Sequence, residues 1–192
     1  MKKWIILTAL AVATLTAGAQ NWYQFGFKVG SQFAITREYS PDTHLNSLRS
    51  LYFHGYFRAG EYVFGEIGFG YQYFKDRLAV TNSDGKVIED LVETRHLVIP
   101  IKVVGDVPIT KKISFQPQVG IFYLPLIHVT DNLLGCDKTN IENHMTLLTA
   151  GFDFRFGFIT VGVDYRYSFH HFFKNDEGEH PQCIGISAGV IF

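Results

Sequence analysis

The sequence predicts an all-β fold, an eight-stranded antiparallel transmembrane β-barrel wound as an up-and-down meander, and three observations carry that expectation. Large apolar residues alternate with polar or small ones in eight separate stretches, a period of two that belongs to strands and not to helices. The connections between these stretches alternate long and short, as in outer-membrane barrels with long external loops and short periplasmic turns. The composition, with 18 Gly, 18 Phe and 10 Tyr in 192 residues, also favours strands.

The chain opens MKKWIILTALAVATLTAGAQ. Lys2 and Lys3, a mainly apolar run, and the small residues Ala17 and Ala19 read as a secretory signal peptide over residues 1–19, leaving a barrel domain over 20–192. A retained membrane anchor is the alternative. No cysteine follows the expected cut, so the usual lipid-anchored start is missing. Cleavage lowers the basic count from 17 to 15 against 18 acidic residues, a net charge of −3. No basic tract points to nucleic acid as a partner. Residues 113–130, ISFQPQVGIFYLPLIHVT, lack charged groups, but two prolines and two glutamines make them a poor spanning helix.

Each stretch sorts into an apolar face and a polar or small one. In 22–35, Tyr23, Phe25, Phe27, Val29, Phe33 and Ile35 oppose Gln24, Gly26, Lys28, Gly30 and Gln32. In 50–60, Leu51, Phe53, Phe57 and Ala59 oppose Tyr52, His54, Tyr56 and Arg58. In 62–74, Val63, Ile67, Phe69, Tyr71 and Tyr73 oppose Glu66, Gly68, Gly70 and Gln72. Within 93–104, Leu97, Ile99, Ile101 and Val103 oppose His96, Pro100 and Lys102. In 112–123, Ile113, Phe115, Val119, Ile121 and Tyr123 oppose Gln116, Gln118 and Gly120. Pro100 and Pro117 each require a bulge or irregular hydrogen bonding.

The sixth stretch, 145–156, sets Ala150, Phe152, Phe154 and Phe156 against Thr149, Gly151, Asp153 and Arg155. The seventh, 158–169, sets Ile159, Val161, Val163, Tyr165, Tyr167 and Phe169 against Thr160, Gly162, Asp164, Arg166 and Ser168. The chain ends CIGISAGVIF, with Ile184, Ile186, Ala188, Val190 and Phe192 on one parity and Gly185, Ser187 and Gly189 on the other. Phe192 thus closes an apolar row. The long breaks fall near 36–49, 75–91, 124–144 and 170–181, the short ones near 60–62, 105–111 and 156–158. A soluble β-sandwich would also bury one face, but it supplies no reason for that loop alternation. Hydrocarbon demands closure, because it cannot satisfy an open edge. Tyr23, Tyr71, Tyr73, Tyr123, Tyr165 and Tyr167 suit interfacial girdles.

FRAGEYVFGEIGFGYQYF at 57–74, RHLVIPIKV at 95–103 and AGVIF at 188–192 resemble the PorT-like outer-membrane β-barrel family of Bacteroidota-type bacteria, over most of residues 22–192. The first piece is similar to the family's two central strands around a tight turn, and the second to its strand with an isoleucine–proline pair. Phe192 is similar to the terminal signal used by the barrel-assembly machinery. The resemblance implies residence in the cell outer membrane, with its lipids and that machinery as partners. One family member is linked to secretion and gliding, and no residue match carries that role here.

A barrel of eight strands has an interior filled by side chains. Its inward set includes Lys28, Arg58, Glu66, Lys102, Asp153, Arg155, Asp164 and Arg166, which suits a polar plug of paired charges. A narrow proton or ion path and an anion site are the alternatives. His44, His128, His144, His170, His171 and His180 fall in or beside external connections. His170, His171 and His180 with Asp176, Glu177 or Glu179 are metal-ligand types, but spacing alone is weak evidence, and ordinary solvated loop residues are the favoured reading. Ser168, His170 and Asp176 contain the residue types of a triad, but triads require geometry, and no enzyme, cofactor or nucleotide motif is expected. Cys136 and Cys183, both placed near the external rim, are expected to form a disulfide in a secreted protein, with two separate thiols as the alternative. The expected function is a surface scaffold, or adhesion and interaction loops presented to an envelope or extracellular protein. The alternative is a narrow transporter or envelope-assembly and secretion component, with a lipid-modifying enzyme behind both.

Overall fold

The computed structural model describes residues 22–36, 38–40, 43–81, 85–174 and 179–192, with the backbone alone for 38–40 and 43–49. The expected signal peptide, residues 1–19, lies outside them. The strands are β1 (Tyr23–Ala34), β2 (Glu38–Ser40), β3 (Thr43–Gly60), β4 (Val63–Thr81), β5 (Val87–Gly105), β6 (Val107–Pro108), β7 (Ile113–Val129), β8 (His144–Phe156), β9 (Ile159–Ser168) and β10 (Gln182–Ile191). All but the short β2 and β6 are staves of one antiparallel barrel, eight of the ten strands. Each stave pairs with its neighbours in sequence, and β1 closes the ring by pairing with both β3 and β10. This is the meander that the alternation predicts.

The seam runs from Gly26↔Ile191 to Ala34↔Cys183. Beyond β10, Phe192 extends it: its N–H donates to the Phe25 carbonyl (2.7 Å), and Phe25 N–H donates to the Phe192 carbonyl (3.1 Å). The outward parity is apolar and exposed. Phe25 is 47% exposed, Phe69 61%, Phe152 40%, Val161 44% and Phe192 54%. In water such a belt would be an aggregation surface; in hydrocarbon it is the solvated face. The inward parity is polar, aromatic or glycine. A methyl group at Gly26 or Gly30 would overlap the Tyr56 or Tyr52 ring, so these glycines make room for the side chains that fill the lumen.

The tight turn at 157–158 uses Gly157, whose φ of 64° is in the left-handed region that glycine reaches without strain. Pro100 is accommodated by skipped ladder pairs. The β4–β5 ladder breaks between Ile67↔Ile101 and Gly70↔Val98 and resumes in the same register. Gly68 leaves space for the proline, since a Cβ there would lie 2.8 Å from Pro100 Cγ. Pro117 sits just past the last β5–β7 pair, Val104↔Gln118, and still pairs with Phe152 of β8.

Three of the expected long loops are shorter than the sequence suggests, because strands continue into them. β3 has 18 residues, β4 and β5 have 19 and β7 has 17, against 10 each in β9 and β10. A spanning strand needs about 9–11 residues. At ~3.3 Å per residue the longest staves overshoot the shortest by about 30 Å along the strand. The 75–91 stretch is a continuous hairpin except near its tip, paired through Lys75↔Glu93 to Thr81↔Val87. Its outward residues include Lys75, Arg77 and Glu93, with Lys75 Nζ 2.9 Å from Glu93 Oε1. Apolar alternation ends where lipid ends, but the ladder does not. The result is a wall rising on one side of the barrel, with β2 laid along β3 at its edge.

Deletion of Phe192 removes both terminal hydrogen bonds at the seam and one lipid-facing ring. The expected outcome is a lower yield of heat-modifiable, membrane-inserted barrel in cells. Insertion at the wild-type level would show that the seam closes without it.

Candidate functional site: the lumen and its cap

The even-numbered residues of β4 climb the lumen from the periplasmic turn outward: Glu66, Gly68, Gly70, Gln72, Phe74, Asp76 and Leu78. Each large side chain among them belongs to a different layer of the filling.

Glu66 anchors the lowest buried layer. Its Oε2 is 2.6 Å from Arg58 Nε and its Oε1 2.7 Å from Lys102 Nζ. Arg58 also reaches Asp153 at 3.5 Å, and Lys28 lies 2.5 Å from the same carboxylate oxygen. Gln118 closes the ring, accepting from Lys102 (2.9 Å) and donating to Asp153 Oδ1 (3.1 Å). These five charged residues are all buried. Buried ions endure only when paired and hydrogen-bonded, and here each has at least one opposite charge at hand. Asp164 and Arg166 form a second pair one layer away. The Arg166 guanidinium lies over the Phe122 ring (3.9 Å to its centroid) and the Tyr52 ring (4.5 Å).

Arg155 stands apart from both groups. It is part-exposed near the periplasmic mouth and pairs with Asp106 at 3.0 Å. Asp106 also accepts from Gln116, which accepts in turn from Arg58 (3.1 and 3.0 Å). The expected inward set is therefore one five-member network, one pair and one rim contact. The sequence reading missed Asp106, which lies in a turn without periodicity. Parity did place Gln116 and Gln118 on the inward face, but the expected network named charged residues alone.

Above the charges the lumen turns apolar. Phe74, Val98, Phe122, Leu124, Met145 and Leu147 form one buried cluster. Farther out, the inner side of the raised wall gathers Leu78, Val92, Cys136, Ile141 and Phe172 into another. The last three come from external connections, which fold back over the barrel mouth and are tied together by the Ile141↔Phe173 bridge.

That folding-back overturns the expected disulfide. Cys136 and Cys183 are both buried free thiols. Cys136 is drawn into the cap cluster, with its backbone held by Asn132 on both sides: Asn132 Nδ2 donates to the Cys136 carbonyl (2.7 Å) and Cys136 N–H donates to Asn132 Oδ1 (2.9 Å). Cys183 faces the lumen from β10, opposite Arg166 of β9. Loop position alone had put both at the rim, but the cap takes one thiol into apolar packing and strand parity turns the other inward. Burial pushes the Cys136 thiol up to about 11.

The external histidines pair with one another. His171 and His180 stack with centroids 4.2 Å apart, and His144 meets His170 edge-on at 5.1 Å. Stacked rings do not aim their lone pairs at a common point. Among the described residues no group of three or more His, Cys, Asp or Glu is placed to hold a metal ion. His128 is level with Arg95 on the outer wall, away from these pairs. The side chain of His44 and residues Asp176 and Glu177 lie outside the described residues. Ser168 Oγ donates to the His170 carbonyl (2.7 Å) and accepts from its N–H (3.1 Å), a local turn and not a nucleophile–base pair.

Two outcomes follow from this geometry. Asp153→Ala strands Lys28 and weakens the hold on Arg58, and is expected to destabilise the barrel by about 3–5 kcal/mol in urea unfolding. Arg155→Ala, at the wet rim, should cost under about 1 kcal/mol in the same assay. Equal effects would show that the ring does not act as a unit. Cys136, with a thiol raised to about 11, is expected to be about one-thousandth ionised at about pH 8. It should therefore resist iodoacetamide in the folded barrel and react promptly after unfolding without reductant, as should Cys183. Rapid labelling of folded Cys136 would contradict its place in the cap.

No family model matches the chain, and no curated protein sequence does. The PorT-like resemblance thus rests on its three sequence pieces alone. Among solved structures, the neisserial surface protein A is similar over 89% of this chain and 96% of its own, at 11% identity and a TM-score of 0.51. The N-terminal β-barrel domain of OprF from Pseudomonas aeruginosa is similar over 88% of this chain and 97% of its own, at 6% identity and a TM-score of 0.46. Ail, the attachment invasion locus protein of Yersinia pestis, covers 88% of this chain and 99% of its own, at 13% identity and a TM-score of 0.40. At such identities the likeness concerns the fold. Closure, an apolar belt and a polar, filled lumen make this chain a small integral β-barrel of the outer membrane.

Proposed function

We propose that the protein is a sealed outer-membrane anchor that presents its raised β-wall, and the external connections packed against it, as an interaction surface for an extracellular or envelope protein. The observation that supports this most directly is the filling of the lumen: a buried ion-pair ring, then an apolar cluster, then a folded cap. Such a filling leaves the outer surface as the place for recognition. The wall supports the same reading, since staves of 17 to 19 residues exceed what crossing a membrane requires. Residues 1–19 serve as a cleaved leader, and Phe192 as the terminal residue engaged by the assembly machinery. The Phe192 deletion distinguishes an assembly signal from a seam residue: loss of the signal affects insertion in cells more than refolding into lipid vesicles.

A second reading, an envelope-assembly or secretion component, draws on the PorT-like pieces at 57–74 and 95–103. A narrow conduit draws on buried polar atoms without protein partners, among them both ring nitrogens of His54 and the Tyr56 hydroxyl. Planar-bilayer recording separates anchor from conduit. The purified full chain is expected to show no stepwise conductance in concentrated KCl. Reproducible steps whose reversal potential shifts with ion substitution would replace the anchor with a conduit.

A further inference from the structure

Asp76 differs from the other lumen carboxylates. Glu66, Asp153 and Asp164 each hold a cation, whereas both oxygens of Asp76 are buried and meet no hydrogen-bond donor. The side chain is fully buried and lines a cavity of about 30 Å³ on the extracellular side of the charged layers. Phe74, Met145 and Leu147 wall it from one apolar cluster and Phe172 from the other. Gln32 also lines it, and the Gln32 Nε2 has no acceptor, its Oε1 being taken by Gln72.

We propose that this cavity binds one small monovalent cation, of ammonium or potassium size, with Asp76 as its counter-ion. Burial without a donor holds the Asp76 carboxyl well above its ordinary value, so it is once ionised that its two acceptor oxygens call for a positive group. A single carboxylate suits a single charge, and among the described residues no three-ligand group exists to hold a divalent ion. A cavity of about 30 Å³ admits no more than one or two species of water's size. The aromatic lining favours a weakly hydrated cation, which gains from ring faces what it loses in water. The Gln32 amide needs an acceptor, which a water molecule entering with the ion provides. Ala34, His96, Pro181, Gln182 and Cys183 complete the wall, and the two titratable groups among them do not neutralise Asp76: the ring nitrogens of His96 meet the Leu124 carbonyl and Thr94 Oγ1, and Cys183 is a buried thiol. Occupancy ties the packing of the cap to the cation content of the medium, whether or not the outer wall binds a partner.

The test uses the purified full chain in detergent micelles at alkaline pH, with ionic strength held constant by choline chloride, a cation too large for the cavity. The wild-type melting temperature is expected to rise with the logarithm of potassium or ammonium concentration, and Asp76→Asn to abolish the rise. Below the ionisation of Asp76, the half-effect concentration should grow about tenfold per pH unit, as protons compete. With isotope-labelled ammonium, magnetisation transfer to the ring protons of Phe74 and Phe172 should place the ion on wild type, so a variant that fails to fold does not stall the experiment. Identical melting in potassium, ammonium and choline overturns the proposal. So does a wild-type response in folded Asp76→Asn, or an absence of ring contacts.

Discussion

In hydrocarbon a backbone N–H or C=O has no partner except another backbone, so each stave must be paired on both flanks. The β1–β10 seam meets that condition for the last open pair of edges, and much else depends on it. Because β1 pairs at once with β3 and β10, Lys28 sits beside His54 on one flank and Gly189 on the other. Side chains alternate with a period of two, so a slip of one residue along this seam would turn β1 inside out, bringing Phe27 into the lumen and Lys28 into lipid. Closure therefore fixes parity as well as hydrogen bonds.

Parity in turn gathers charge into a narrow space. Strands whose outward residues must be apolar carry their lysines, arginines and acids inward, where bulk water is scarce. The ring of Lys28, Asp153, Arg58, Glu66 and Lys102 resolves this by contact between staves far apart in sequence, with 125 residues separating Lys28 from Asp153. Such a ring is a demanding arrangement, since loss of Asp153 strands Lys28 and loss of Glu66 strands Lys102. A one-residue slip of any of these staves would carry its member of the ring out to the lipid face, so the ring and the register support each other. The inward glycines belong to the same solution: Tyr52 and Tyr56 lean over the neighbouring strand β1, where Gly30 and Gly26, their ladder partners, leave room for the rings.

The sequence revealed what lipid imposes and concealed what it does not. Within the belt each stave alternates cleanly, and its inward residues could be named from parity alone; Lys28, Glu66, Asp153 and Arg166 were found this way. Beyond the belt the outward residues become charged, as at Lys75, Arg77 and Arg95. The alternation then fades although the strand persists, and the raised wall read as loop. Asp76 was hidden by that change, for it lies on the inward parity of a segment taken to be external. Cys136 was hidden for another reason: its burial depends on a connection folding back on the mouth, and nothing periodic announces such a contact. Asp106 shows the same limit at the other end, where a turn residue completes a salt bridge with a strand.

The unequal staves give the molecule a front and a back. On the side of β9, β10 and β1 the barrel ends near the membrane surface, whereas β3, β4, β5 and β7 stand well above it. A neighbour moving in the plane of the membrane meets either a low sill or a high parapet, according to the direction from which it comes. Rotation about the bilayer normal thus becomes a variable of encounter, and the molecule presents a compass bearing to whatever shares its leaflet.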